Sequence, residues 1–339
     1  MVWLVLAAIA SLTVNNVPAF FHAPLRLVTF ILVLALIGPI ITSESLDVLK
    51  KLTFYRLNYF IVIGSALSFL VYLGLPVQQY KGFSGFFNHP MVLGPLAGIS
   101  LILIFYKLLS NYGNSTRNQK RSYIVAIVIC FLVLLLASSR AAIAGTITGI
   151  TLFLYKYYKE RFSKFLSAIL FVVLFVNVTF PVWSDYTGGV QEKQKISNKS
   201  EDLASSRRAL WVVRIAEFKE SPVFGIGFAT LDISKKGSSV QKGSGTIEPG
   251  SSWLAVLSMI GIVGFIPVFL IFYRNLSFLL QDQINPSTSA ALVGLLIFFV
   301  THMFAEGYIF ASGNFLFFYV WLLLGVIETY RKDPSVKII

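Results

Sequence analysis

The chain has 339 residues, of which 56% are hydrophobic, 15% aromatic and only 13% charged, with a mean hydropathy of +0.76. Soluble domains carry about 25% charged residues, so a water-soluble fold is excluded, and the apolar runs between the charges are long enough to cross a bilayer. The net charge of +13 fits the loop lysines and arginines of a polytopic membrane protein, and nucleic acid is not an expected partner.

In chain order, ten spans are expected: Val2 to Phe21, Leu25 to Ile41, Tyr59 to Leu75, Met91 to Leu109, Tyr123 to Ala137, Ala141 to Tyr155, Phe165 to Val182, Ser252 to Tyr273, Ala290 to Ala305 and Phe315 to Tyr330. Asn15, Asn16 and Pro18 interrupt the first. It lacks a basic leading region and a clear small-residue cleavage site, so it reads as a membrane helix rather than a signal peptide. The one cysteine, Cys130, lies inside the fifth run, which excludes a disulfide framework and a Cys-ligated metal site within one chain.

Basic residues in short loops resist translocation. Lys50, Lys51 and Arg56 fall on the same side as Lys107, Arg117, Lys120 and Arg121, then Lys156, Lys159, Arg161 and Lys164, then Arg274, and finally Arg331, Lys332 and Lys337. That side is expected to be cytoplasmic, with both termini. The opposite side receives the Pro76 to Pro90 loop, the tight Ser138-Ser139-Arg140 link, the Glu306 to Asn314 turn and a long segment from Ser184 to Ser251 carrying ten basic and eight acidic residues. Loops of that length are seldom without purpose. The expected architecture is all-α: residues 1–183 carry transmembrane helices one to seven, 184–251 form one large periplasmic loop containing a short amphipathic helix, and 252–339 carry helices eight to ten and a tail. The amphipathic helix spans Leu203 to Glu220, capped by Ser205 or Ser206 and stopped by Pro222, Gly225 and Gly227.

On that helix Arg207 and Arg214 are seven residues apart and project from nearly one face, with Arg208 beside the first and Trp211 between them. Planar guanidinium forks next to an aromatic suit a lipid-linked phosphate; the same pattern also suits a helix resting on headgroups. Arg140 sits at a helix boundary on the side that short loops keep poor in positive charge, where it either snorkels to lipid phosphate or serves a site. Arg26 is a snorkelling residue of the same kind. His302 and Glu306, four apart, would share one helical face near the outer end of the ninth span. Their alternatives are a bond from His302 to a neighbouring helix and a hydrated Glu306. Glu248 is a second outward carboxylate, or simply a solvated charge. No P-loop, HExxH, GxSxG or Asp-x-Asp pattern occurs, so no metal or other cofactor is expected. Arginines can neutralise the charge that builds on a departing phosphate.

The order of short motifs resembles the O-antigen ligase and Wzy-type polysaccharide polymerase superfamily. They are Asn88-His89-Pro90, Ser139-Arg140-Ala141, Ser206-Arg207-Arg208-Ala209-Leu210-Trp211, Ser221-Pro222-Val223-Phe224-Gly225-Ile226-Gly227, Ser251-Ser252-Trp253-Leu254 with Gly261-Ile262-Val263-Gly264, and Gly313-Asn314 with Trp321 and Gly325. The resemblance implies a metal-independent GT-C glycosyltransferase of the bacterial plasma membrane. It would act at the outer face on sugar chains carried by undecaprenyl diphosphate, with membrane lipids, a flippase and a chain-length regulator as candidate partners. It implies that Arg140 and Arg207 hold the donor diphosphate; Arg214 joins them through helical phase. Ligases of this family typically carry a His-Asn or His-Ser pair at the places of Gly250 and Ser251. Its absence favours a polymerase and leaves the proton acceptor open among Glu248, Glu306 and His302. A ligase of the same architecture is the nearest alternative, and a flippase or transporter the next. Most spans lack the midplane charge a transport path needs.

Overall fold

The computed structural model describes residues 1–14, 23–74, 83–87, 89–167, 169–170, 205–230, 249–281 and 283–334. Among the described residues the regular elements are helices: α1 Val2–Val14, α2 Ala23–Leu36, α3 Glu44–Gly74, α4 Pro90–Ser110, α5 Arg117–Leu136, α6 Arg140–Tyr157, α7 Ser205–Glu220, α8 Ser252–Leu280, α9 Pro286–His302 and α10 Phe315–Lys332. Four of them (α3, α4, α5 and α8) are long and apolar enough to cross a membrane, while α1, α2 and α9 are shorter apolar helices. The expected third span is the second half of α3, whose 31 residues make it about 46 Å long. Most of the expected seventh span and of the 184–251 loop, Glu248 included, lies outside the described residues.

The chain divides into two compact units. The first comprises Met1–Lys51, Ser200–Ser277 and His302–Asp333; the second comprises Leu52–Lys199, Phe278–Thr301 and Pro334–Ile339.

In the second unit, α4, α5 and α6 pack through small residues, the usual way for helices to approach closely where lipid removes the hydrophobic drive. A Cβ on Gly94 would meet the Ser139 side chain at 2.8 Å, one on Gly98 would meet Thr146 Oγ1 at 2.2 Å, and one on Gly149 would meet the Gly294 carbonyl at 2.7 Å. Helix starts are encoded locally. His89 Nδ1 accepts from the Met91 amide at 3.1 Å, with Pro90 opening α4. Thr116 and Gln119 form a capping box on α5. Ser138, at φ 53°, makes the sharp link to α6, where Ser139 caps the helix from the Ala142 amide at 3.3 Å. Lys156 is buried and donates to the Leu280 carbonyl at 3.0 Å, so a cation closes the C-terminal end of α8.

In the first unit, α10 is buried along most of its length around an aromatic cluster. Phe30 lies 5.2 Å from Phe228, 5.3 Å from Phe310 and 5.7 Å from Trp321, centre to centre. At one end, basic residues that loop charge assigns to one side are tied together. Arg274 reaches Glu328 at 2.7 Å and Arg331 reaches the same carboxylate at 3.2 Å; Lys332 donates to the Thr42 carbonyl at 3.1 Å and Lys50 to the Ile41 carbonyl at 2.6 Å.

The eighth span is not one straight helix. Gly261 adopts φ 61° and ψ −167° in the middle of α8. Trp253 then stacks 6.3 Å from Phe265 and 5.5 Å from Phe272, whereas in a straight helix these rings would stand about 18 and 28 Å apart along the axis. Residues 252–260 therefore fold back on residues 262–280. The break frees backbone groups that cannot go unpaired in apolar surroundings, and the segment following α7 satisfies them. The Ile262 and Val263 amides donate to the Pro222 and Val223 carbonyls at 2.9 and 3.2 Å, while the Ser258 and Met259 carbonyls accept from the Ile226 and Gly227 amides at 2.8 and 3.0 Å. Gly225 (φ 71°) and Gly261 both lie in the left-handed region. A Cβ on Gly225 would fall 2.3 Å from Met259 backbone, and one on Gly261 would fall 2.1 Å from the Val223 carbonyl.

Gly261→Ala puts a side chain at φ 61° and ψ −167°, a region essentially confined to glycine and costing about 1–3 kcal/mol, and adds an overpacked contact, about 1–3 kcal/mol. It is expected to lower the thermal unfolding midpoint of the detergent-solubilised protein by several degrees, followed with a thiol-reactive dye on buried Cys130. Gly313→Ala, whose Cβ meets nothing within 4 Å, is expected to leave the midpoint unchanged.

Candidate functional site

The site is built within the first unit where α7, the start of α8 and the α9–α10 connection meet. One face of α7, carrying Arg207, Leu210, Arg214 and Glu217, follows the helical spacing i, i+3, i+7, i+10 and turns toward residues 250–258. Trp211 Nε1 donates to the Gly250 carbonyl at 3.0 Å. Gly250 (φ +73°) lies over Leu210, whose Cβ would be 2.7 Å from any Cβ there. Pro249 sits equally tightly on Gly307, 2.1 Å from a Cβ at that position. Glycine at 250 and at 307 is thus the condition for the close approach of these loops.

Ser252 joins the two loops. Its amide lies 2.9 Å from the Met303 carbonyl and 3.0 Å from the Glu306 carbonyl, and its hydroxyl donates to the Glu306 carbonyl at 2.7 Å. The same oxygen accepts from the amides of Tyr308 at 3.0 Å and Ile309 at 3.3 Å. Ser251 Oγ adds a bond to the Met303 carbonyl at 3.2 Å. One serine thereby holds the backbone on both sides of Glu306.

On this frame Arg207 Nη2 donates to Glu306 Oε1 at 2.6 Å, and each side chain keeps 16% of its surface exposed. The pair joins residues 99 positions apart and is charge-assisted, the stronger kind of hydrogen bond. His302 is fully buried behind it, with Nδ1 3.2 Å from the Tyr308 hydroxyl. Burial, with the Glu306 charge adding to it, pushes the Tyr308 hydroxyl well above the usual phenol range, so it stays protonated.

The structure corrects two sequence-based expectations. His302 and Glu306 do not share a helical face, because α9 ends at His302. The Glu306 amide still reaches the His302 carbonyl at 3.1 Å, but Ser252 captures the next carbonyls and pulls the chain out of the helix. Arg214 does project from the same face as Arg207, yet that face is the packed one. Arg214 Nη1 lies 2.9 Å from Glu217 Oε2, with side-chain exposures of 2% and 0%, and donates to Ser258 Oγ at 3.4 Å. It carries its own buried counter-ion and reads as part of the core. Arg208, next to Arg207, is exposed. Arg140, in the second unit, opens α6; it is half-buried and makes no ion pair with any described residue. Residues that the sequence reading missed are Ser252 as the hub and Tyr308. The only available signal was the Ser251-Ser252-Trp253 motif, which does not reveal its partner strand of chain. Among the described residues no group of three or more His, Cys, Asp and Glu converges.

Removing one member of a buried ion pair typically costs about 3–5 kcal/mol, because the other charge stays behind. Arg214→Met is therefore expected to lower the unfolding midpoint strongly, whereas Arg214→Met with Glu217→Leu recovers most of the loss; thermal unfolding in detergent reads both.

Residues 125–270 match the family model described as O-Antigen ligase. The match covers Arg140, Arg207, the Gly225–Gly261 contact and Ser252, and stops before Glu306. No curated protein matches the chain.

Proposed function

We propose that this protein, whose residues 125–270 match the O-antigen ligase family model, is a membrane glycan polymerase. It transfers a growing chain from undecaprenyl diphosphate to a sugar hydroxyl of a lipid-linked repeat unit at the outer face of the plasma membrane. The match to the O-antigen ligase family model supports a glycan-processing role. The observation that carries the reading is Arg207. Its guanidinium lies within the matched segment, partly exposed, on a helix held by Trp211 against Gly250 and by Arg214 against Ser258.

The chemistry asks for little more. Diphosphate departs as an anion, and a guanidinium fork offers bidentate donors to it as charge develops. Arg207 takes this role, with Arg140 as the second arginine that the resemblance assigns and exposed Arg208 adding positive potential beside it. Trp211 fixes the register of α7. A carboxylate or imidazole must accept the hydroxyl proton, a contribution of about 10² to 10⁴ in rate. Of the three candidates, His302 is buried, Glu248 is outside the described residues, and Glu306 is the one in contact with Arg207.

The polymerase reading draws support from Gly250, which stands where ligases typically have a histidine. Its left-handed backbone and the Leu210 side chain beneath it leave no room for a side chain. The ligase reading is favoured by the family description itself. The two differ in what a deletion strain accumulates: single repeat units if a polymerase is lost, full-length chains on the carrier if a ligase is lost.

In a deletion background, complementation with Arg207→Ala and, separately, Arg140→Ala is expected to reduce polymer by two orders of magnitude or more on glycan gels, at unchanged protein level. Normal polymer length and amount from both variants would refute the assignment.

A further inference from the structure

Glu306 contacts the arginine that the proposed function gives to the donor diphosphate, and that contact has a consequence for the order of events. Arg207 is engaged by Glu306 at 2.6 Å. The backbone around Glu306 is pinned. Its carbonyl accepts from Ser252, the Tyr308 amide donates to Ser252, and the Tyr308 hydroxyl is bonded to His302. The Glu306 side chain, carried on this loop, stays partly exposed.

We propose that Glu306 is the proton acceptor of the transfer and that Arg207 holds it out of use until a lipid-linked diphosphate takes its place on the guanidinium. This rests on the reading of Arg207 given above. The exchange follows from charge. A carboxylate brings one negative charge to the fork, and a diphosphate brings more, with several acceptor oxygens for its five donors. Once displaced, Glu306 is an anion beside an incoming anion, and repulsion turns it away from the phosphates toward the acceptor sugar.

The acceptor hydroxyl oxygen forms a bond to C1 of the donor sugar, and its proton passes to the Glu306 carboxylate. The bond from C1 to the phosphate oxygen breaks, and its electron pair leaves with the diphosphate, whose added charge Arg207 neutralises. Glu306 then returns the proton to water, and the Arg207–Glu306 pair re-forms as the carrier departs. Donor must bind before the base is available, so an acceptor hydroxyl or a water molecule in an empty site is not activated.

Two other described carboxylates of this unit are committed elsewhere. Glu217 is buried against Arg214, and Glu328 is held by Arg274 and Arg331.

The test compares wild type, Glu306→Gln, Glu306→Asp and Arg207→Ala, purified into lipid nanodiscs. Two quantities are measured: affinity for undecaprenyl diphosphate as the probe, and transfer between lipid-linked repeat units. Glu306→Gln is expected to bind the probe as tightly as wild type or several-fold tighter, while transferring about 100-fold more slowly or worse. Glu306→Asp, which keeps the carboxylate on a shorter arm, recovers part of the rate without loss of affinity. A tenfold or larger fall in probe affinity in either Glu306 variant would mean that the carboxylate merely props Arg207, and wild-type transfer by Glu306→Gln would mean that another group takes the proton; each overturns the proposal. Unchanged probe affinity in Arg207→Ala would instead refute the diphosphate assignment on which it rests.

Discussion

The arrangement of the first unit depends on one constraint: a helix broken in apolar surroundings must have its freed backbone groups paired. Gly261 breaks α8, and the Pro222–Gly227 segment supplies two carbonyls below the break and two amides above it. The fit requires glycine on both sides, because each Cβ would fall into the other strand of backbone. A surface loop is thereby fastened into the helical frame by main-chain bonds, which no change of side-chain rotamer can release.

That fastening sets the position of α7. With its C-terminal end fixed at Pro222, the helix lies along residues 250–258, and its packed face brings Arg214 against Ser258 and Glu217. A buried ion pair is a poor source of stability, but this one has no freedom to face another way. Arg207, two turns earlier on the same helix, emerges where the packing ends, and its partner arrives from the α9–α10 connection. Rigid elements carry the arginine and a pinned loop carries the carboxylate, so the exposed pair is presented with little backbone freedom, as chemistry on a developing anion demands.

Ser252 shows how small a residue can organise such a site. It begins one half of α8, so its amide is unused within the helix, and it spends that amide and its hydroxyl on the connection that bears Glu306 and Tyr308. The buried Tyr308 hydroxyl, kept protonated, meets His302 at the end of α9. An imidazole that could have been read as a catalytic base is thus occupied in holding a loop.

Much was legible in the sequence for physical reasons that act locally. Apolar run length excluded a soluble fold and marked the helices; the stop after Glu220 placed the end of α7; helical phase put Arg207 and Arg214 on one face. The exchange of a straight eighth span for a folded one was not legible, because Gly261 interrupts neither the apolar run nor its composition. Nor does helical phase say where along a face the packing ends, and that separated partly exposed Arg207 from buried Arg214. The pairing of Arg207 with Glu306 was beyond reach as well, since it joins residues 99 positions apart. The sequence by itself determined an apolar chain, helical in its described elements, with its candidate cations and carboxylates, because hydropathy and helical phase are properties of neighbours along the chain. Which of those charges are buried with a partner and which stand together at the surface was decided only by the tertiary structure, because ion pairing and desolvation are properties of neighbours in space.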